Sequence, residues 1–359
     1  MADLMNGTYT YDKLRGTYGN FQVPAVKVMI NGQDALASMD LTLNEIIVTL
    51  SLKYASSVEI RISNAYDIVK RSFDDKMKSK FKLGTVVEIE LGYLSSTQAV
   101  FKGFVYMVGA DFSEAPMYVV TLMDARRLMM VSGIKHILHD VKNYSDAFKT
   151  AIGPYSKLFS AQTEITDDKL EDPISQTTND YDFVINDLIK KGKTGREFFI
   201  LYDKGYFRTK PQSGTPIMKI ELGRELLNFK MDYAYLDVEI EVVGVDESEQ
   251  KSISGKAAAK SKEAQDSLIS ETPVITVVDP DVNNQEKADT RAKALAAMED
   301  NAAKTGNGTC IGLPEIVPGR YIEIVMLEEM VNRKYYITEV KHTVGSNFFT
   351  TDFEIGGWI

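Results

Sequence analysis

The chain has 359 residues, 44% hydrophobic and 26% charged, which excludes wholesale disorder and provides for two or three ordinary globular domains. With 41 basic against 51 acidic side chains its formal charge is −10, so it lacks the basic field of a free nucleic-acid binder. The single cysteine, Cys310, excludes an intramolecular disulfide and a cysteine-based zinc site.

An acidic surface suits solubility, and it can also line a conduit that anionic cargo passes without sticking. The stretch 1–13 is polar and has no apolar leader segment, and no apolar run approaches the roughly 20 residues of a membrane span. Synthesis in the cytoplasm, with no membrane span, is therefore expected.

Residues 1–20 are turn-rich. Beyond them Val26, Val28 and Ile30 take one face of a strand that ends at the Asn31-Gly32 turn. Further strands are expected over 43–52 and 57–62, where Val58, Ile60 and Ile62 alternate with Glu59 and Arg61, leaving one sheet face wet. The charged stretch 64–80 places Tyr66, Val69 and Phe73 at roughly helical spacing and predicts a short surface helix. Strands over 84–93, 99–112 and 117–123, with short polar spacers, predict an antiparallel meander or small barrel.

The character changes after about residue 132. A helix is predicted over 144–159 with Ser145 as its N-cap. A second, over 179–191, buries Phe183, Val184, Leu188 and Ile189, is capped by Asn179 or Asp180 and stops at Gly192. Strands over 197–202 and 206–209, joined by Asp203-Lys204-Gly205, complete an α+β unit. From 217 the β character returns over 219–222, 226–233 and 235–245. The polar tract 247–271, rich in Lys, Ser, Ala and Glu, reads as a solvated helix or a flexible insertion. A strand over 274–278, an Ala-rich helix over 286–304 and three strands over 321–327, 334–342 and 348–355 follow.

The closing strands resemble the early meander. Gly84-Thr85-Val86-Val87-Glu88-Ile89 recurs as Gly319-Arg320-Tyr321-Ile322-Glu323-Ile324, and each copy is followed by two more strands. The fold expected is mainly β with an α+β insertion: two related antiparallel β-barrel domains, 1–131 and 216–359, flanking an α+β domain at 132–215. The second barrel carries the polar insertion around 247–271. A trimer of a chain with this two-fold repeat displays six similar units in a ring, which can adapt a three-fold object to a six-fold one.

Few residues point to chemistry. His136 and His139, with Asp140, lack an obvious third ligand for a metal, and Cys310 with His342 lacks a nucleophile elbow or an orienting partner. Lys191-Gly192-Lys193-Thr194 follows a helix rather than a strand and has Asp187 where a phosphate loop needs glycine. The acidic loop Asp167, Asp168, Glu171 and Asp172 does not fit calcium-loop spacing, and Glu88 with Glu90 reads as a wet sheet face. No catalytic residue, cofactor or metal site is expected.

The order of these parts resembles the baseplate hub proteins of contractile phage tails and related injection machines, namely the late control D proteins and the hub half of VgrG-like type VI secretion spikes. The resemblance is carried by residues 82–93 with Phe101-Lys102-Gly103-Phe104-Val105, by residues 176–184 with the Gly205-Tyr206-Phe207 hairpin, and by 318–322, 335–342 and 350–355. It implies a structural, non-enzymatic role: a homotrimeric ring with pseudo-six-fold symmetry, joining a hexameric tail tube or tube-initiator protein to a trimeric spike. The implied setting is the baseplate of a virion or phage-like particle, among baseplate wedge proteins and without direct nucleic-acid recognition. The chain stops at 359, just past the last strand, so the spike is expected to be a separate protein. Gly356, Gly357, Trp358 and Ile359, which include the only tryptophan, form the candidate partner interface. The alternative is a tail-associated component that binds or degrades carbohydrate or peptidoglycan. That role requires a carboxylate pair or an aromatic platform, and the 18 tyrosines leave a binding module open.

Overall fold

The computed structural model describes residues 3–39, 41–113, 115–164, 169–170, 172–192, 195–211, 213–246, 251–261, 268, 270–280 and 282–358. After α1 (Tyr11–Thr17), capped by Thr10, strand β1 (Pro24–Ile30) turns at Asn31 and Gly32 into the short β2 (Gln33–Asp34). Both turn residues sit in the left-handed region, as this hairpin geometry requires. The brief α2 (Ala35–Met39) leads into β3 (Thr42–Ser51) and β4 (Ser57–Ser63). Their alternation is as expected: Ile46, Val48 and Leu50 are buried with Val58, Ile60 and Ile62.

The surface helix expected over 64–80 is instead a hairpin, β5 (Tyr66–Asp67) with β6 (Ser72–Phe73), followed by α3 (Asp75–Lys80). Tyr66 and Phe73 are cross-strand partners with ring centroids 5.1 Å apart, and they pack with Phe112 and Tyr118. Their spacing of seven residues is compatible with two helical turns, but the aromatic cluster selects the hairpin. The meander β7 (Val86–Tyr93), β8 (Ser96–Asp111) and β9 (Met117–Met123) then forms as the sequence predicts.

The α+β insertion contains α4 (Ala125–Met130), β10 (Ile137–His139), α5 (Tyr144–Ile152), β11 (Ser160–Thr163) and β12 (Ile174–Gln176). It continues with α6 (Asp180–Asp182), β13 (Arg196–Leu201) and β14 (Lys204–Thr209). Helix α5 ends at Ile152 rather than running to 159, because Gly153-Pro154 converts the chain to a 3-10 turn. Asn143, not Ser145, occupies its cap, and the Ser145 hydroxyl donates to the Glu164 carbonyl. The Asn179 side chain caps α6 as predicted, but the helix widens into a π-helix over Phe183–Gly192. Phe148, Phe183, Leu188, Phe198 and Phe207 form this unit's own core.

The remaining elements are β15 (Lys219–Glu221), β16 (Leu226–Tyr233), β17 (Asp237–Asp246), β18 (Lys251–Lys260), β19 (Val274–Val278) and α7 (Gln285–Ala302). The chain closes with β20 (Lys304–Ile311), β21 (Tyr321–Val325), β22 (Lys334–Gly345) and β23 (Phe349–Trp358).

The strand pairing extends the repeat read from sequence. One half of the main sheet runs β1-β7-β8-β9-β4-β3 and the other β15-β21-β22-β23-β20-β16. Leaving aside the two-residue β2, which pairs beyond β1 as the thirteenth strand, and numbering in chain order within each half, both read 1-4-5-6-3-2. The glycines that open the two meanders, Gly84 and Gly319, share a left-handed φ of 84° and 81°. The halves differ in one pairing, since β1 is antiparallel to β7 while β15 is parallel to β21.

The two halves are not separate closed barrels. Strand β3 pairs with β22 from Glu45↔Gly345 to Ser51↔Glu339, fusing them into one 13-stranded sheet. A single core cluster spans both, from Leu4 to Ile355. No closed barrel is present among the described residues, and the ends of the second half meet only at a bridge between Leu222 and Leu226. Strand β16 lies at one end of the sheet and β2 at the other, and merging at β3 and β22 removes the edges there.

The polar tract holds a further correction. Residues 251–260 are neither helix nor loop but strand β18, antiparallel to β17, with β19 parallel on the other side of β17. Helix α7 lies on this sheet and buries Ala288, Ala292 and Ala296 against Ile240, Val242 and Ala259. Small residues permit that close approach, so the Ala-rich composition that suggests a helix serves a strand under a helix. A Cβ on Gly255 would collide with the Ala288 carbonyl. Gly255→Ala is therefore expected to destabilise this unit by about 1–3 kcal/mol, read by chemical denaturation. A loss below about 0.5 kcal/mol would contradict the packing. The neighbouring residues 247–250, 262–267 and 269 of the tract lie outside the described residues.

Candidate partner interface

The C-terminal residues lie inside the main sheet, with β23 paired on both sides. Gly356 pairs with Thr305 of β20, and the Trp358 backbone pairs with Tyr335 of β22. Gly357 has a φ of 98°, and a Cβ there would strike the Asn301 side chain at the end of α7. Gly357 is thus required where the end of α7 meets β23, whereas a Cβ on Gly356 would strike Thr338 of β22. Ile359 lies outside the described residues. The Gly356 carbonyl also receives the Lys210 ammonium at 3.4 Å, which ties the insertion to this end of the sheet.

The insertion is clamped to the second half by a buried cluster. Glu197 on β13 accepts from Arg208 Nε on β14 at 2.9 Å and from the Tyr336 hydroxyl on β22 at 2.7 Å. Arg208 also donates to the Gly319 carbonyl and lies over the Phe199 ring. Burial works to lower the Arg208 pKa, but the Glu197 carboxylate outweighs it and the net shift is upward. Lys210 lies over the Tyr336 ring at 4.6 Å, and burial lowers its pKa. Sequence reasoning missed this clamp, whose partners Glu197 and Tyr336 are 139 positions apart.

Within the insertion, Asp180 is buried and accepts from Lys135 Nζ (2.6 Å), the Tyr155 hydroxyl (2.6 Å) and Gln176 Nε2 (2.8 Å). Burial acts to raise its pKa, yet these three donors hold it below the ordinary carboxylate value. Gln176 continues the chain to His139, which stacks on Phe183 at 4.8 Å. His139 is therefore a packed core histidine, whereas His136 is exposed. The pair does not converge.

Cys310 and His342 do not converge either. Each is the register partner of Thr351 on opposite sides of β23, so a whole strand separates them. His342 Nδ1 and Thr351 Oγ1 are 2.9 Å apart, and burial lowers the imidazole pKa to about 3, keeping it neutral. Burial likewise pushes the Cys310 thiol up. Glu88 pairs with Lys102 and accepts from Tyr202, while Glu90 pairs with Lys27 and accepts from Thr97. Among the described residues no group of three His, Cys, Asp or Glu side chains could hold a metal. Asp167, Asp168, Glu171, Lys193 and Thr194 lie outside the described residues.

One buried carboxylate fastens the N-terminal segment. Tyr18, after α1, donates to Glu315 at 2.5 Å, while Arg320 donates to the carbonyls of Leu4 and Gly7. Burial pushes Glu315 up to about 6 from an ordinary 4.5, against the lowering effect of the Tyr18 bond. A raised carboxylate contributes stability that is full below pH 4.5 and lost as pH rises through about 6. Glu315→Gln is expected to stabilise the protein by about 2 kcal/mol at pH 8 and to be neutral at pH 4. Equal effects at both pH values, measured by urea unfolding, would contradict this.

The described residues thus offer packed polar clusters that hold segments together, and no helix among them is long and apolar enough to cross a membrane. The fold is shared with phage tail and type VI secretion proteins. A tail protein from Neisseria meningitidis MC58 matches with a TM-score of 0.70 at 12% identity, covering 93% of this chain and 97% of that one. The 43 kDa tail protein of prophage MuSo2 from Shewanella oneidensis matches with a TM-score of 0.67 at 11% identity, covering 92% and 98%. An Escherichia coli protein, described as a type VI secretion component similar to the T4 bacteriophage tail proteins gp27 and gp5, matches with a TM-score of 0.57 at 11% identity. That match covers 92% of this chain and 76% of the other. No curated protein matches. The model of the family described as the Alg8 N-terminal domain matches residues 20–346, and the chain belongs to that family.

Proposed function

We propose that this chain is a structural baseplate hub of a contractile phage tail or phage-like injection device. Three copies form a ring that receives a six-fold tail tube on one face and a three-fold spike on the other. The observation that carries this reading is the doubled 1-4-5-6-3-2 sheet. One chain presents two modules of the same strand order, differing in the direction of one strand, so three chains present six. The whole-chain likeness to two tail proteins supports it. The role is load transfer, not catalysis, and the internal clamp at Glu197 suits a part that transmits force. The open end of the sheet at β16 is the kind of edge that a neighbouring subunit covers in a ring.

The partners in this reading are a second and third copy, a separate trimeric spike, the tube or its initiator, and wedge proteins. Negative-stain averages of the purified chain, alone and with its candidate spike, should show rings with three-fold symmetry and six peripheral lobes. Particles without rotational symmetry under both conditions would contradict the proposal, and lysis in a peptidoglycan zymogram would contradict its non-enzymatic part.

A further inference from the structure

Two surfaces on this chain are apolar and shaped, the first followed in the chain by Lys70, which pairs with Asp67 at 3.6 Å, and by Arg71, the second rimmed by acidic side chains. The first is the tip of the β5–β6 hairpin. Ile68 is 80% exposed and Val69 88%, and Lys70 and Arg71 follow them, both exposed. This tip is held in shape: Asp67 Oδ1 accepts from the backbone N–H groups of Val69 and Lys70, both at 2.9 Å. The aromatic cluster of Tyr66, Phe73, Phe112 and Tyr118 buttresses its base. Two aliphatic side chains are thus presented to solvent on a preorganised support, which lowers the ordering cost of a contact made there.

The second surface is a groove of about 270 Å³ beside β16, the strand that ends the main sheet. Leu222, Phe229, Met231, Leu327 and Val331 line it, and Glu328 stands at its rim with Glu329 next in the chain. The rim loop is fixed by Asn332, whose side chain accepts from Leu327 N and donates to the Leu327 carbonyl. Met326 adopts a left-handed φ of 62° and is 74% exposed, and Met330 is 55% exposed. Methionines suit a surface that closes over aliphatic side chains.

We propose that the Ile68–Val69 tip of one copy docks into the Leu222–Phe229–Leu327 groove of the next, with Lys70 and Arg71 against Glu328 and Glu329. The chain's own groove is not the occupant's destination. The hairpin packs at β9, six strand positions from β16 along the sheet, which is about 30 Å at normal strand spacing. Because knob and groove are different surfaces of one chain, the contact is head-to-tail and propagates into a ring when the rotation closes. The inference rests on the ring reading above and supplies its subunit contact.

The test uses the full-length chain. Ile68→Asp with Val69→Asp is expected to weaken self-association about 100-fold, measured by light scattering over a concentration series, with an unchanged circular dichroism spectrum because both residues are exposed. Lys70→Glu with Arg71→Glu is expected to weaken it as well, and adding Glu328→Lys with Glu329→Lys is expected to restore it. Val69→Cys with Met330→Cys should give cross-linked trimers under oxidation. A trimer that survives the Asp substitutions and does not cross-link overturns this contact and leaves the ring reading standing. A wild-type chain that is monomeric alone and with its spike overturns both.

Discussion

Asp124→Ala is expected to destabilise the protein by about 3–5 kcal/mol, the largest loss we anticipate for a single side chain. Asp124 and Arg126 form an ion pair at 2.7 Å with both side chains almost entirely out of solvent. The carboxylate also accepts from Ser56 N at 2.8 Å and from Arg126 N at 2.9 Å, capping α4. The guanidinium donates onward to the Ser51 carbonyl and the Ser56 hydroxyl, both at 2.9 Å. One pair therefore fastens the β3–β4 turn to the point where the main sheet gives way to the insertion. Removing the carboxylate strands a buried cation and takes the acceptor from two backbone N–H groups, those of Ser56 and Arg126. The double variant Asp124→Ala with Arg126→Met should cost less than the sum of the two single changes, because the second removes the charge the first has stranded. Urea unfolding of the three variants measures this, and additive losses would contradict it.

Glu197→Ala is expected to cost about 3 kcal/mol and to act differently in space. Glu197 is the acceptor shared by Arg208 and Tyr336, so its loss releases the insertion from the second half while leaving the insertion's own core of Phe148, Phe183 and Phe198 intact. Hydrogen exchange should quicken at residues 196–209 and 334–336 more than in β7–β9. Glu197→Gln keeps an acceptor for Tyr336 and should cost less. Uniform exchange changes across the chain would mean that the cluster is not a clamp between units.

Local pattern carried a large part of this fold. Alternation placed β3, β4 and β7–β9, and the Ala-rich run behind Asn284 placed α7. The repeated glycine-led strand pointed to the doubled meander. Three features were not legible, for one physical reason: each is decided by contacts distant in the chain. The seven-residue spacing of Tyr66 and Phe73 fits two helical turns until Phe112 and Tyr118 are known to lie against them. The composition of 251–260 favours a helix until α7 requires small residues beneath it. The pairing of β3 with β22, nearly the whole chain apart, replaces two closed barrels by one sheet.

The candidate interface was legible only in part. The sequence drew attention to Trp358 because it is the lone tryptophan, and the structure shows its backbone paired in β23. The exposed tip at Ile68 and Val69 is hidden in the sequence because Val69 falls at helical spacing from Tyr66 and Phe73. The groove beside β16 draws on residues from 222 to 331, which no local pattern joins.

The central claim is that a two-module chain builds a six-unit ring. Mass by light scattering on the purified chain, alone and co-expressed with its candidate spike, tests it most directly. The account predicts a species near three times 40.1 kDa, or that mass plus a spike trimer. A monomer under both conditions would contradict it.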